Sequence, residues 1–223
     1  GQRAARDQRL SQGDVLQLYI NDEFFDQPRE ENMFLTLFKP SLDIVYEDEN
    51  LMLLNKKAGL VVHADETEKV NTLINHIQAY LYQKREWNPR WENAFTPALC
   101  NRIDRNTGGI VIAAKNAETL RIINDKIRDH ELTKRYLCIT LGAPRPPAGE
   151  VENFLRKDEK KKQVFVFHKP VPGAKTAVTR YKTLQRRGEL ALVEVELLTG
   201  RTHQIRATMA DLGCPLLGDG KYG

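Results

Sequence analysis

The chain has 223 residues, 41% of them hydrophobic and 29% charged, with a formal net charge of +4. That balance excludes an intrinsically disordered chain, and the length allows one or two domains with a sizeable core. The slight positive excess permits contact with nucleic acid without demanding it.

In chain order, Gly13–Asn21 alternates apolar and polar residues after a turn and reads as a strand. The polar, proline-bearing stretch that follows reads as a linker, so residues 1–25 form an N-terminal arm and residues 26–41 a connection. The main domain opens at Leu42 with a strand, a turn at Asp48–Asn50, a second strand and a loop at Gly59. Leu73, Ile77 and Leu81 recur at helical spacing. Ile110–Ala114 is a short apolar run that predicts a central strand. A helix follows with Asn116 as its cap and Leu120, Ile123 and Ile127 on one face. "RYLCITLG" predicts another strand. Beyond the prolines at 144–147, "QVFVFHK", "KTAVTRYKTL" and "LALVEVELL" have strand character. "THQIRATMADLG" turns helical, with Thr202 as cap, Ile205, Met209 and Leu212 as stripe, and Gly213 as stop. Helices interrupting a largely antiparallel strand set give an α/β mixed (α+β) class.

Cys100, Cys138 and Cys214 form no CxxC pair and no full disulfide framework, which fits a reducing, cytoplasmic setting. No signal-like or membrane-spanning apolar run is visible, so no membrane partner is expected. The five histidines show no metal-ligand spacing, and no metal is expected.

Four stretches could carry chemistry. Asp104 lies between Arg102 and Arg105 in a loop that feeds the 110–114 strand; the plain alternative is a surface turn with local ion pairing. Gly108 and Gly109 beside it allow a tight bend or the close approach of a ligand. In "LLTGRTHQIR", Arg201 and the start of a helix would suit an anion, and Arg206, one turn in, could reach a carboxylate in a neighbouring loop. Its alternative is a capped helix with solvated arginines. Tyr136, in isolation, reads as a packed strand tyrosine. Lys56, Lys57 and His63 flank the Gly59 turn and could meet phosphate or simply water. Arg156–Lys162, RKDEKKK, carries five positive and two negative charges and reads as a hairpin tip. "GCPLLGDGK" has glycine spacing like that of a phosphate loop, but Asp219 stands where a lysine is needed.

Taken together, these stretches resemble the RluA-type RNA pseudouridine synthases. "NRIDRNTGGIVIAAK" is similar to that family's catalytic motif, and "LLTGRTHQIRATMADLGCPLLGDGKYG" to its second signature. "LLNKKAGLVVHAD" resembles the early motif and "KRYLCITLG" the tyrosine-bearing strand. The four occur in the family's order over residues 42–223. Asn101, Gly108 and Lys57 depart from its usual histidine, serine and proline. "RLSQGDVLQLYI" resembles the last strand of an S4 RNA-binding domain, and the catalytic domain reads as truncated at its C-terminus.

The resemblance implies a pseudouridine synthase fold, with a mixed, largely antiparallel sheet, flanking helices and a central RNA-binding cleft. It implies isomerisation of specific uridines in 23S ribosomal RNA or tRNA through a nucleophilic Asp104. Tyr136 would stack on the base and assist proton movement, and Arg206 would keep Asp104 ionised. Lys56, Lys57, His63, Arg102, Arg105, Arg201, Thr202 and His203 would line the RNA path. The isomerisation is redox-neutral and releases no group, so no cofactor is expected. The protein would act as a monomer with RNA as its partner. The competing reading is a catalytically inactive RNA-binding relative.

Overall fold

The computed structural model describes residues 9, 11–13, 30–91 and 93–223. The S4-like arm, including all but the first residue of its Gly13–Asn21 strand, lies almost wholly outside them. The described residues form two compact units, one built from those up to Asp48 with Met52–Ile112, the other from Glu49–Leu51 with Ala113–Gly223. Among the described residues, no helix is long and apolar enough to cross a membrane.

The first unit holds most of a four-stranded sheet. Its strands are β1 (Ile44–Glu47), β2 (Leu51–Lys56), β3 (Ala98–Leu99) and β4 (Gly109–Ala114), in the order β1-β2-β4-β3. β4 is interior, as its apolar run predicts. Helix α1 (Leu73–Gln83) takes Thr72 as N-cap, whose hydroxyl accepts the Asn75 amide. Its first amides, on Leu73 and Ile74, donate to the Val61 and Val62 carbonyls at 2.9 and 3.2 Å. These two bonds tie the loop after β2 to the start of the helix. Glu30–Thr36, expected within the linker, is a 3-10 helix. It buries Phe34, whose ring lies 5.1 Å from that of Trp87 and 5.5 Å from that of Tyr82.

The second unit is a five-stranded antiparallel sheet with two helices. The strands are β5 (Arg135–Leu141), β6 (Ala148–Asp158), β7 (Gln163–Phe167), β8 (Lys175–Arg187) and β9 (Leu190–Leu197), in the order β5-β9-β8-β6-β7. β6 escaped the sequence reading. Its inward positions run Val151, Asn153, Leu155, and the buried asparagine breaks the alternation. Helix α2 (Ala117–Arg128) is capped by Asn116, as expected, and keeps Leu120, Ile123 and Ile127 half-buried. Helix α3 (Gln204–Asp211) buries Ala207, Thr208 and Met209. Met209 joins Tyr181, Val193, Val195 and Cys214 in the core, with Ile205 and Leu212 packed against them. Residues 215–217 bond along the outer edge of β5: Leu141 donates to the Pro215 carbonyl and Leu217 to that of Ile139, both at 2.8 Å.

Candidate active site

In the first unit the chain leaves β3 and turns through Asp104 before entering β4. The Asp104 carbonyl accepts the Thr107 amide at 3.0 Å, which closes a turn around Arg105 and Asn106. Three bonds fix this turn from the side of β4. The Cys100 amide donates to the Ile112 carbonyl at 2.8 Å. The Asn101 carboxamide then acts as an extra peptide group, accepting the Ile112 amide at 2.8 Å and donating to the Ile110 carbonyl at 3.2 Å. Asn101, a departure from the resembled motif, thus prolongs the strand pairing up to the base of the Asp104 turn. Gly109 has φ 133, a conformation that side chains disfavour. At Gly108 a Cβ would lie an ordinary 3.5 Å from the Lys56 carbonyl oxygen, so packing does not exclude a serine there.

From the other side the turn is fixed by the loop after β2. The Arg105 carbonyl accepts the Gly59 amide at 2.8 Å and the Lys56 ammonium at 2.9 Å. Lys56 also donates to the carbonyls of Leu60 at 2.7 Å and Lys57 at 3.0 Å. Three acceptors match the three N–H groups of an ammonium. Lys56 is 1% exposed, which corrects its expected place on the RNA path: the amine is spent on backbone carbonyls and is closed to a phosphate. Burial lowers its pKa, and the negative charge of Asp104 works against that shift. Within this unit, then, Lys56 is a cation that feels Asp104 through space. The side chain of Arg105, its sequence neighbour, turns to Asp65 at 2.8 Å and to the Thr67 hydroxyl. Hydrogen bonds from the Thr67 hydroxyl and amide, with the Arg105 guanidinium, hold the Asp65 carboxyl well below the usual range. Arg102, Lys57 and His63 are exposed. Partial enclosure of the ring, and then the nearby charge of Arg102, lower the His63 pKa.

In the second unit Tyr136 sits on β5 opposite Val195 of β9, half-buried. Helix α3 does not start as the sequence suggested. Its N-cap is His203 in a left-handed conformation (φ 52), without a side-chain cap bond, and Thr202 lies outside the helix. The Gln204 carboxamide instead reaches back to the segment before the helix, its oxygen accepting the Arg201 amide at 3.0 Å and the Thr199 hydroxyl at 2.9 Å. The His203 Nδ1 lies 2.8 Å from the Tyr222 hydroxyl, which also accepts the Val164 amide at 2.8 Å.

Arg206 grips the carboxylate of Asp219. Its Nε donates to Oδ2 at 2.7 Å and an Nη to Oδ1 at 2.8 Å, a planar two-bond grip. The guanidinium carbon lies 5.1 Å over the Tyr222 ring. Asp219 also accepts the amides of Lys221 and Tyr222, at 3.0 and 3.2 Å. Arg206 above all, and then these amides, hold the Asp219 carboxyl down to about 2, against the upward push of burial. The contacts of Arg206 with Asp219 and Tyr222 were not foreseen from the sequence, where both residues stand at the end of the second signature.

The remaining cations fall in two places. β6 and β7 form a hairpin that closes at the Asp158–Gln163 pair, so the tip of the RKDEKKK run is 159–162, exposed as the charge pattern implies. Lys157 there pairs with Glu159 at 2.7 Å. The exposed Arg201 donates through Nε to the Thr176 carbonyl at 2.8 Å. The half-buried Lys134 lies near it, and burial followed by the Arg201 charge lowers the Lys134 pKa.

Within the first unit, Asp104 is a half-buried carboxylate on a braced turn, a placement that suits a charged group of fixed orientation. The family model described as RNA pseudouridylate synthase matches residues 50–211, and the chain belongs to that family. A relative from Borreliella burgdorferi, ribosomal large subunit pseudouridine synthase D, is 34% identical over 214 residues, covering 92% of this chain and 63% of its own. The protein of the same description from Zymomonas mobilis is 35% identical over 182 residues, covering 82% of this chain and 56% of its own. The chain thus spans about three fifths of the length of such relatives. Among solved structures, human RNA pseudouridylate synthase domain containing 4 is similar, with a TM-score of 0.65 and 27% identity over 87% of this chain and 72% of that one.

Proposed function

We propose that this chain carries the chemistry of an RNA pseudouridine synthase, isomerising uridine to pseudouridine with Asp104 as nucleophile. The observation that carries the reading is the seating of Asp104, on a turn braced by Asn101 and Lys56 in a chain of this family. The target nucleotide leaves the RNA stack for the site, which costs on the order of a few kcal/mol. Asp104 then attacks C1′ of the ribose or C6 of the uracil, or promotes glycosidic cleavage through a glycal. The uracil rotates and rejoins through C5, and the proton on C5 departs. Tyr136 is proposed to stack on the base and to assist that proton. Arg206 is proposed to keep the nucleophile ionised, its guanidinium oriented by the Asp219 grip.

The substrate proposed is large-subunit ribosomal RNA, the target printed in the names of two similar relatives, met in the cytoplasm by a monomer. Lys57, His63, Arg102, Arg201, Thr202, His203 and the β6–β7 hairpin are proposed to lie along its path. Arg105 joins them only with the part of its guanidinium that Asp65 and Thr67 leave over.

Tritium release from RNA labelled at C5 of uridine tests the reading. Release matched by pseudouridine formation is expected. RNA binding with no release would leave an inactive RNA-binding relative.

A further inference from the structure

One half-buried cation in the second unit lacks the partners that burial calls for. Lys134 immediately precedes β5, and its carbonyl still accepts the Leu197 amide at 2.9 Å, so the β5–β9 pairing runs through it. Strand alternation therefore puts its side chain on the face that carries Tyr136. The acidic residues of β9 stand on the other face, with Glu196 opposite Arg135 and Glu194 opposite Leu137. Among the described residues, the Lys134 ammonium has neither a hydrogen-bond acceptor nor a carboxylate within ion-pair distance. Its charged neighbour is Arg201, which spends only Nε, on the Thr176 carbonyl. The Lys134 ammonium lies against Gly200, the residue before Arg201: a Cβ at Gly200 would come an ordinary 3.8 Å from Lys134 Nζ. Two like charges held together, one of them partly desolvated, are unfavourable unless an anion joins them.

We propose that Lys134 and Arg201 form one phosphate site, which takes a backbone phosphodiester of the RNA next to the base presented to Tyr136. This rests on the proposed activity and deepens it, because it names the atoms that register the nucleotide against β5. A single phosphodiester oxygen pair can accept from the ammonium and from the Nη groups at once. The site leaves the hairpin lysines as separate, fully solvated contacts.

The test is binding of a short oligouridylate across a range of salt, for the wild-type protein, Lys134→Gln, Arg201→Gln and the double variant. Because both cations would hold one phosphate, each single variant should weaken binding about fivefold to tenfold at low salt. The salt slope should fall by about 0.7, the value for one phosphate on a single strand. The double variant should lose little more than either single one, and Lys134→Arg should restore wild-type binding. Unchanged slopes, or losses that multiply in the double variant, would overturn the shared site. If Lys134→Gln fails to melt like the wild type, acetylation of wild-type Lys134 reads the same contact: the oligouridylate should protect it, and equal reactivity counts against the site. Tritium release measured alongside separates the two ideas. Turnover with unchanged slopes removes the phosphate site alone. The predicted slopes without turnover in the wild type remove the activity and leave the site as an RNA contact.

Discussion

Lys56 and Lys134 are both withdrawn from water, and burial lowers the pKa of each, yet their surroundings are opposite. Lys56 gives its three N–H groups to three carbonyls and stitches the loop after β2 to the Asp104 turn. Lys134 has a second cation beside it and, among the described residues, nothing to accept from it. The first has the surroundings of a structural brace, the second those of a place kept for an anion. Exposure alone would not separate them, since the apparent surface lysine of the early motif is the more deeply buried of the two. The count of acceptors around the amine does separate them.

The largest effect should come from Lys56→Met, which keeps the length of the side chain and removes its donors. The Lys57 and Leu60 carbonyls lose the ammonium, while the Arg105 carbonyl keeps the Gly59 amide; at about 1 kcal/mol or more for each carbonyl left unsatisfied, a loss of about 2–3 kcal/mol is expected in urea unfolding. A loss below about 0.5 kcal/mol would erase the contrast. Asp219→Asn is the intermediate case, because it strips a well-paired cation of its charged acceptor. The Asp219 carboxyl titrates near 2 when folded against an ordinary 3.8, so its stabilisation is complete above 3.8 and lost as pH falls from there toward 2. That is on the order of 2 kcal/mol, and the variant should have lower stability at neutral pH and a flatter acid limb. Wild-type acid sensitivity retained in the variant would assign it to other carboxylates. Lys134→Met should have the smallest effect, within about 0.5 kcal/mol and in the stabilising direction, since it ends a like-charge contact and breaks no hydrogen bond. A clear destabilisation would mean that Lys134 has a structural partner after all.

The strands and helices whose apolar residues keep one period were legible in the sequence: β1, β2, β4, β5, β7 to β9 and all three α-helices. β6 was not, because it lies between β8 and β7 and is held by pairing on both edges while Asn153 interrupts its inward face. The start of α3 was misplaced because the helix begins after a left-handed His203 with no side-chain cap, and Thr202 lies outside it. The motifs located the Asp104 turn, but not what braces it. A lysine in a loop reads as solvated until three carbonyls are seen around it, and an asparagine reads as a turn residue until it is seen to complete a strand pair. Asp219 stood inside the second signature, but its pairing with Arg206 was not legible, because the partner is thirteen positions away and the two meet only once the chain has turned back past Gly213 and Gly218.

The central claim is that Asp104 attacks the nucleotide, and Asp104→Asn tests it most directly. The amide is nearly isosteric, and the turn is closed by the backbone carbonyl of residue 104, which the substitution leaves in place. The variant should melt like the wild type and bind RNA as well or slightly better, since a negative charge facing phosphates is gone. It should release no tritium from C5-labelled uridine RNA. Tritium release by the folded variant, in a preparation free of wild-type enzyme, would contradict the assignment of Asp104 as nucleophile.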